Sequence, residues 1–318
     1  MGIWDVKNIS RYGLIGIVIL FCVCLSFLSP NFLTWQNFTI VARQVSINGI
    51  LAIGVTYVLL TGGVDLSLGS VVALSGVISA IVARSAEISA FVAVAVGVCV
   101  GFLCGFSNGF VVAKGKVAPF IVTLGMMTIA RGLALVVSGG KPVSGLKDSF
   151  IALSGESFLG VPNPVLIMGV AAVLSHIFLR YTKYGRYIYA IGSNEATAYV
   201  CGVNVPSVKL FAYAICGAFA GLAGVMLAAR ITTGQPNAGI AYELDAIAAA
   251  VIGGTSLSGG VGSIVGTVIG AFLMGIINNG LDLLNVSSYY QQIIKGVIII
   301  VAVWSDSVPR RREVDRIV

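Results

Sequence analysis

Long apolar runs, separated by short polar or glycine-rich joints, fill almost the whole chain. A bilayer core about 30 Å thick takes about 20 apolar residues per helix. By that measure the pattern predicts ten spans, centred near residues 12–29, 39–60, 66–83, 88–112, 119–137, 164–180, 208–230, 243–257, 263–281 and 288–304. The eighth is short and broken by glycine. The expected fold class is an all-α integral membrane protein, one transmembrane domain over residues 1–318. A polar island, residues 185–206 (GRYIYAIGSNEATAYVCGVNVP), interrupts the apolar background. It reads as one short helix: Ser193 or Asn194 caps it, Glu195 sits in the positive first turn, and Gly202 ends it with Pro206 just beyond.

The chain carries an internal echo. Thr61 to Leu74 (TGGVDLSLGSVVAL) aligns without a gap on Ser258 to Ala271 (SGGVGSIVGTVIGA), matching Gly62, Gly63, Val64, Gly69 and Val71 to Gly259, Gly260, Val261, Gly266 and Val268. This predicts two related halves with glycine-broken helices at matching places. Such breaks expose backbone polar groups and should face protein or a wet cavity. Gly97, Gly101, Gly105 and Gly109 recur on one helix face, as do Gly217 and Gly221, and Gly262, Gly266 and Gly270. Those faces suit close helix packing within the chain, with a subunit interface as the other use.

Composition agrees with the pattern. Of 318 residues 58% are hydrophobic and 10% charged, with mean hydropathy +1.01, against about 25% charged in soluble domains. The net charge of +7 is a topology signal. Lys7, Arg11, Lys114, Lys116, Arg180, Lys183, Arg186, Lys209, Arg310, Arg311, Arg312 and Arg316 fall on one side, and Lys141, Lys147 and Arg84 on the other. That asymmetry puts both termini in the cytoplasm and lipid around the bundle, and argues against a nucleic-acid partner.

Chemistry is sparse. His176 is the only histidine, and Gly115-Lys116 is followed by Val117, so no phosphate-binding loop is present. The six cysteines, without metal spacing, are expected to be free buried thiols. No catalytic residue, metal site or resident cofactor is expected. Polar residues within spans are costly. Asn48, Asp65, Ser67, Thr123, Asn279 and Gln291 are the candidate path residues, able to pair with a polyol or equally to join helices. Asp65 also suits a cap on the following half-helix. Glu243 and Asp245 form either an acidic first turn or a cation site. The segment from Ser138 to Pro164 is the largest outer loop, lying on the membrane surface or meeting a partner.

Thr61–Ser70, Gly185–Val205, Gln235–Gly254 and Asn278–Gln292 together resemble the membrane permease of ribose-type (monosaccharide) ABC importers, over nearly the whole chain. The resemblance implies a homodimer in the bacterial cytoplasmic (inner) membrane, served by an extracytoplasmic sugar-binding protein and an ATP-binding cassette ATPase that binds ATP and Mg and does the hydrolysis. It makes residues 185–206 a cytoplasmic coupling loop, with Gly192, Asn194, Glu195, Ala196, Tyr199 and Gly202 meeting the ATPase. Other importer classes carry EAA-x3-G here. This chain has Glu195-Ala196, then Thr197, and Gly202 one position late. Ala196, Tyr199 and Val200 share one helix face. An ion-gradient-driven sugar transporter using Asp65 or Asp245, and a passive channel, are the alternatives, with a membrane enzyme behind them.

Overall fold

The computed structural model describes residues 3–85 and 87–314, with side chains from Ile15 to Trp304 except Ala86. Lys7, Arg11, Arg310, Arg311, Arg312 and Arg316, on which much of the charge asymmetry rests, lie outside the described side chains. The chain folds as α1 (Ile3–Leu28), α2 (Trp35–Leu60), α3 (Leu68–Ala83), α4 (Ala90–Ala113), α5 (Pro119–Ser138), α6 (Asp148–Gly155), β1 (Ser157–Phe158) and β2 (Val161–Pro162). It continues with α7 (Asn163–Tyr181), α8 (Lys183–Ser193), α9 (Glu195–Val200), α10 (Val205–Arg230), α11 (Tyr242–Ile252), α12 (Ile264–Leu283) and α13 (Ser288–Val314). Helices α2, α4, α5, α7, α10 and α12 are long and apolar enough to cross a bilayer, and α1, α3 and α13 carry shorter apolar stretches. The protein is a multi-pass helical membrane protein.

Local chemistry sets many of the boundaries. Thr34 accepts from the Asn37 amide to start α2, Ser89 from the Phe91 amide to start α4, and Pro119 opens α5. Helix α5 stops at Gly139, which takes the left-handed conformation. Every predicted span falls on a helix, but the eighth is corrected. Helix α11 has only 11 residues, about 17 Å at 1.5 Å per residue, too short to cross. The residues before it, 231–241, are not helical and fold back into the bundle beside α3: Gly234 packs on Gly76, Val77 and Ala80, and Gly239 on Gly69.

The core lies where α10 packs against α2, α3 and α4. The repeating glycines hold α4 on α10. A Cβ on Gly101 would strike the Gly217 carbonyl, and one on Gly217 would strike that of Gly101. The backbones therefore touch, and dispersion replaces the hydrophobic drive that lipid removes. Both stripes are used inside the chain. The glycine pairs do not break helices, as the sequence suggested; they form turns between helices, α2 to α3 and α11 to α12. Both turns reach one end of the bundle and meet, with the Gly260 amide donating to the Leu60 carbonyl at 3.0 Å.

At the opposite end the 138–164 loop folds into α6 and the β1–β2 hairpin. Ser154 donates to the Met226 carbonyl at 2.8 Å, and Val143 bridges to Gly234. Not all thiols are buried: Cys24, Cys99 and Cys201 are exposed and Cys216 is buried.

Candidate functional site

The polar island holds two helices, not one. Thr182 ends α7 and begins α8: its hydroxyl donates to the Phe178 carbonyl at 2.7 Å and accepts from the Gly185 amide at 3.1 Å. Helix α8 is amphipathic, burying Gly185, Ile188 and Ile191. The cap of the second helix is Asn194, whose side chain accepts from the Thr197 amide at 2.9 Å, whereas Ser193 is the last residue of α8. Gly202 closes α9 at φ +83°. Its amide donates to Tyr199 at 2.9 Å and that of Val203 to Ala198 at 3.1 Å, the two bonds of a Schellman motif. Pro206 starts α10 rather than merely following a helix end.

Helix α9 is thus a six-residue element fixed by its caps. Ala198 faces inward, while Ala196, Tyr199 and Val200 are exposed, Tyr199 by 70% and Val200 by 84%. Glu195 pairs with Lys209 on α10 at 2.7 Å, a surface ion pair contributing about 0–1 kcal/mol. The exposed face borders a groove of about 860 Å³ whose other wall is Lys116, Val117 and Pro119. A polar cleft of about 370 Å³ lies alongside, lined by Gly62, Gly192, Asn194, Glu195, Lys209 and Tyr213.

Gly192 joins the island to the bundle. A Cβ there would strike the Leu60 carbonyl and the Gly260 amide, so only glycine lets α8 rest on both glycine turns at once. The Tyr189 hydroxyl donates to the Gly262 carbonyl at 3.0 Å, a second tie to the α11–α12 turn.

Deeper in the bundle, Asp65 is 1% exposed and accepts from the amide and hydroxyl of Ser67 at 2.9 and 2.6 Å. Asn108 donates to the Ser67 hydroxyl at 3.0 Å. Asp65 thus braces the start of α3, and the Glu243 carboxylate packs against Gly69 there. Asp245 pairs with Lys295 at 2.9 Å, joining α11 to α13.

Of the candidate path residues the structure brings together only Asp65 and Ser67. Asn48 is half-buried on α2, away from them. Thr123 bonds the Pro119 carbonyl of its own helix at 2.9 Å. Asn279 and Asn37 exchange two bonds at 2.7 and 3.0 Å, and Gln291 bonds Asp282 and the Val286 carbonyl. Sequence reasoning passed over Asn108, Gln235 and Asn237. The last two flank Pro236, and that proline after a long helix was the available sign of a non-helical segment.

Residues 37–303 match a family model described as "Branched-chain amino acid transport system / permease component". A ribose import permease of Escherichia coli strain K12 is 47% identical over 94% of both chains. One from Bacillus subtilis strain 168 is 48% identical over 92% of this chain and 91% of its own. An L-arabinose transport system permease of Escherichia coli strain K12 is 39% identical over 96% and 91%. No solved structure gives a significant match.

Proposed function

Because the chain belongs to the family of transport-system permease components, we propose that it is the membrane subunit of an ATP-driven monosaccharide importer, with ribose as the cargo. The cargo follows relatives, 43–48% identical, that are named ribose import permeases. In this reading ten helices are embedded in the bacterial inner membrane, in two related halves, with both termini in the cytoplasm. Two copies form a homodimer surrounded by lipid. A separate ATPase binds ATP and Mg, and an extracytoplasmic protein delivers the sugar.

The observation that carries this reading is the join at Gly192. Helix α9 offers an exposed face to a partner, and α8 behind it rests on the turns that begin α3 and α12. A push on α9 therefore reaches both halves through backbone contacts that have no slack. Gly192, Asn194, Glu195, Ala196, Tyr199 and Gly202 are the coupling residues: Asn194 and Gly202 fix the ends of α9, Glu195 ties it to α10, and Ala196 and Tyr199 present its surface. The permease supplies contacts that differ between outward- and inward-facing states, and the ATPase supplies the driving free energy.

The test is ribose uptake into proteoliposomes holding permease, ATPase and binding protein. Uptake that requires ATP and the ATPase supports the importer. Uptake by the permease alone under an ion gradient overturns it in favour of a secondary transporter, and partner-free, gradient-free flux in favour of a channel.

A further inference from the structure

Gln235 and Asn237 are exposed amides, and neither side chain has a hydrogen-bond partner among the described residues. Their position makes this significant. They sit on the segment 231–241 that folds back along α3, and its Gly239 packs on Gly69, which lies about 21 Å along α3 from Ala83. The segment is thus non-helical backbone at membrane depth. Such backbone persists only where protein covers it or water reaches it.

Protein covers one side. Arg131, in the middle of the apolar helix α5, donates from Nη1 to the Pro236 and Ala238 carbonyls at 2.6 and 2.7 Å. A guanidinium in that position is explained by holding the two carbonyls on either side of Asn237. The other side shows the two bare amides. Facing hydrocarbon, each would leave a carbonyl and an amino group unpaired, which points to a water-filled face.

We propose that Gln235 and Asn237 line the translocation path and pair with the hydroxyl groups of a monosaccharide in transit, with Arg131 as the positioning residue that fixes their backbone. The chemistry suits that cargo. A sugar hydroxyl both donates and accepts, as an amide does, and neither amide carries a charge that a zwitterion or ion would require. The inference rests on the importer reading and adds the residues that meet the sugar.

The test uses the full complex in proteoliposomes, its permease carrying Asn237→Cys or Gln235→Cys with the six native cysteines replaced. The probe is a charged, water-soluble thiosulfonate, and Val136→Cys, on an α5 position 77% exposed on the outside of the bundle, is the lipid-facing control. The expected result is modification of both path positions about tenfold or more faster than the control, slowed by ribose during turnover. In parallel, Asn237→Leu should lower ribose uptake about tenfold, the scale of one lost hydrogen bond, while the dimer and basal ATP hydrolysis persist. Modification as slow as at Val136→Cys, normal uptake by Asn237→Leu, or separation of the permease copies in these variants would overturn the proposal. If the wild-type complex imports no ribose the importer reading fails separately, and cysteine reactivity still distinguishes a wet face from a lipid face.

Discussion

Gly192 lies with its Cα against the carbonyl of Leu60, the same oxygen that accepts the Gly260 amide at 3.0 Å. Three segments far apart in sequence thus meet backbone to backbone. Any side chain at 192 must move either α8 or the two turns. Gly192→Val should cost about 1–3 kcal/mol through overpacking. It should also lower ribose uptake by more than its loss of folded protein explains, while ATP hydrolysis by the assembled complex continues. Parallel uptake and hydrolysis assays on matched amounts of folded complex check this. An unchanged ratio of sugar moved to ATP used would show that Gly192 is only a packing site.

Helix α9 depends on its caps because six residues cannot hold a helix by propagation. Gly202, at φ +83°, is the vulnerable cap. Gly202→Val should cost about 1–3 kcal/mol of local strain and fray the helix, whereas Gly202→Asn, which tolerates that conformation, should be milder. Ala196→Arg leaves the cap intact and adds bulk to the exposed face. The account predicts uncoupled hydrolysis in Gly202→Val and Ala196→Arg and near-normal uptake in Gly202→Asn. Uptake assays across the three variants decide it.

The Asp245–Lys295 pair, at 2.9 Å with the Asp245 side chain 7% exposed, holds α13 to the short α11. Lys295→Met strands a buried carboxylate and should cost about 3 kcal/mol, the lower end of the range because the lysine is partly exposed. Adding Asp245→Asn should recover much of that loss. Thermal unfolding in detergent measures both. Equal stability of Lys295→Met and wild type would mean that the pair holds nothing.

How far the sequence predicted these features depended on whether their cause was local. Close packing at the glycine faces of α4 and α10 was legible from glycines every fourth residue, though not that the two faces meet each other, and the start of α9 was legible in Asn194 and Glu195. Helix α8 was not separated from α9: its helical signal is an amphipathic face, with Ile188 and Ile191 inward, and the whole polar island read as a single helix. Hydropathy likewise does not show where a short helix stops, so the turn residues 253–257 merged into the eighth span, and residues 231–241 were left between spans with no place in the bundle. What fixes them is the surface of Gly69 and Gly76 on another helix. Asn279 read as a path residue because its partner Asn37 lies 242 positions away. Asp65 was legible as a brace for α3, since Ser67 is its neighbour in sequence.

The most direct measurement of the central claim is site-specific cross-linking from Val200→Cys on α9, the position 84% exposed, in the assembled complex with its ATPase and sugar-binding protein. The account predicts a cross-link to the ATPase subunit whose yield changes when ATP binds, and no reaction with a membrane-impermeant thiol reagent added outside intact cells. A cross-link to the extracytoplasmic binding protein, or labelling from outside, would contradict it.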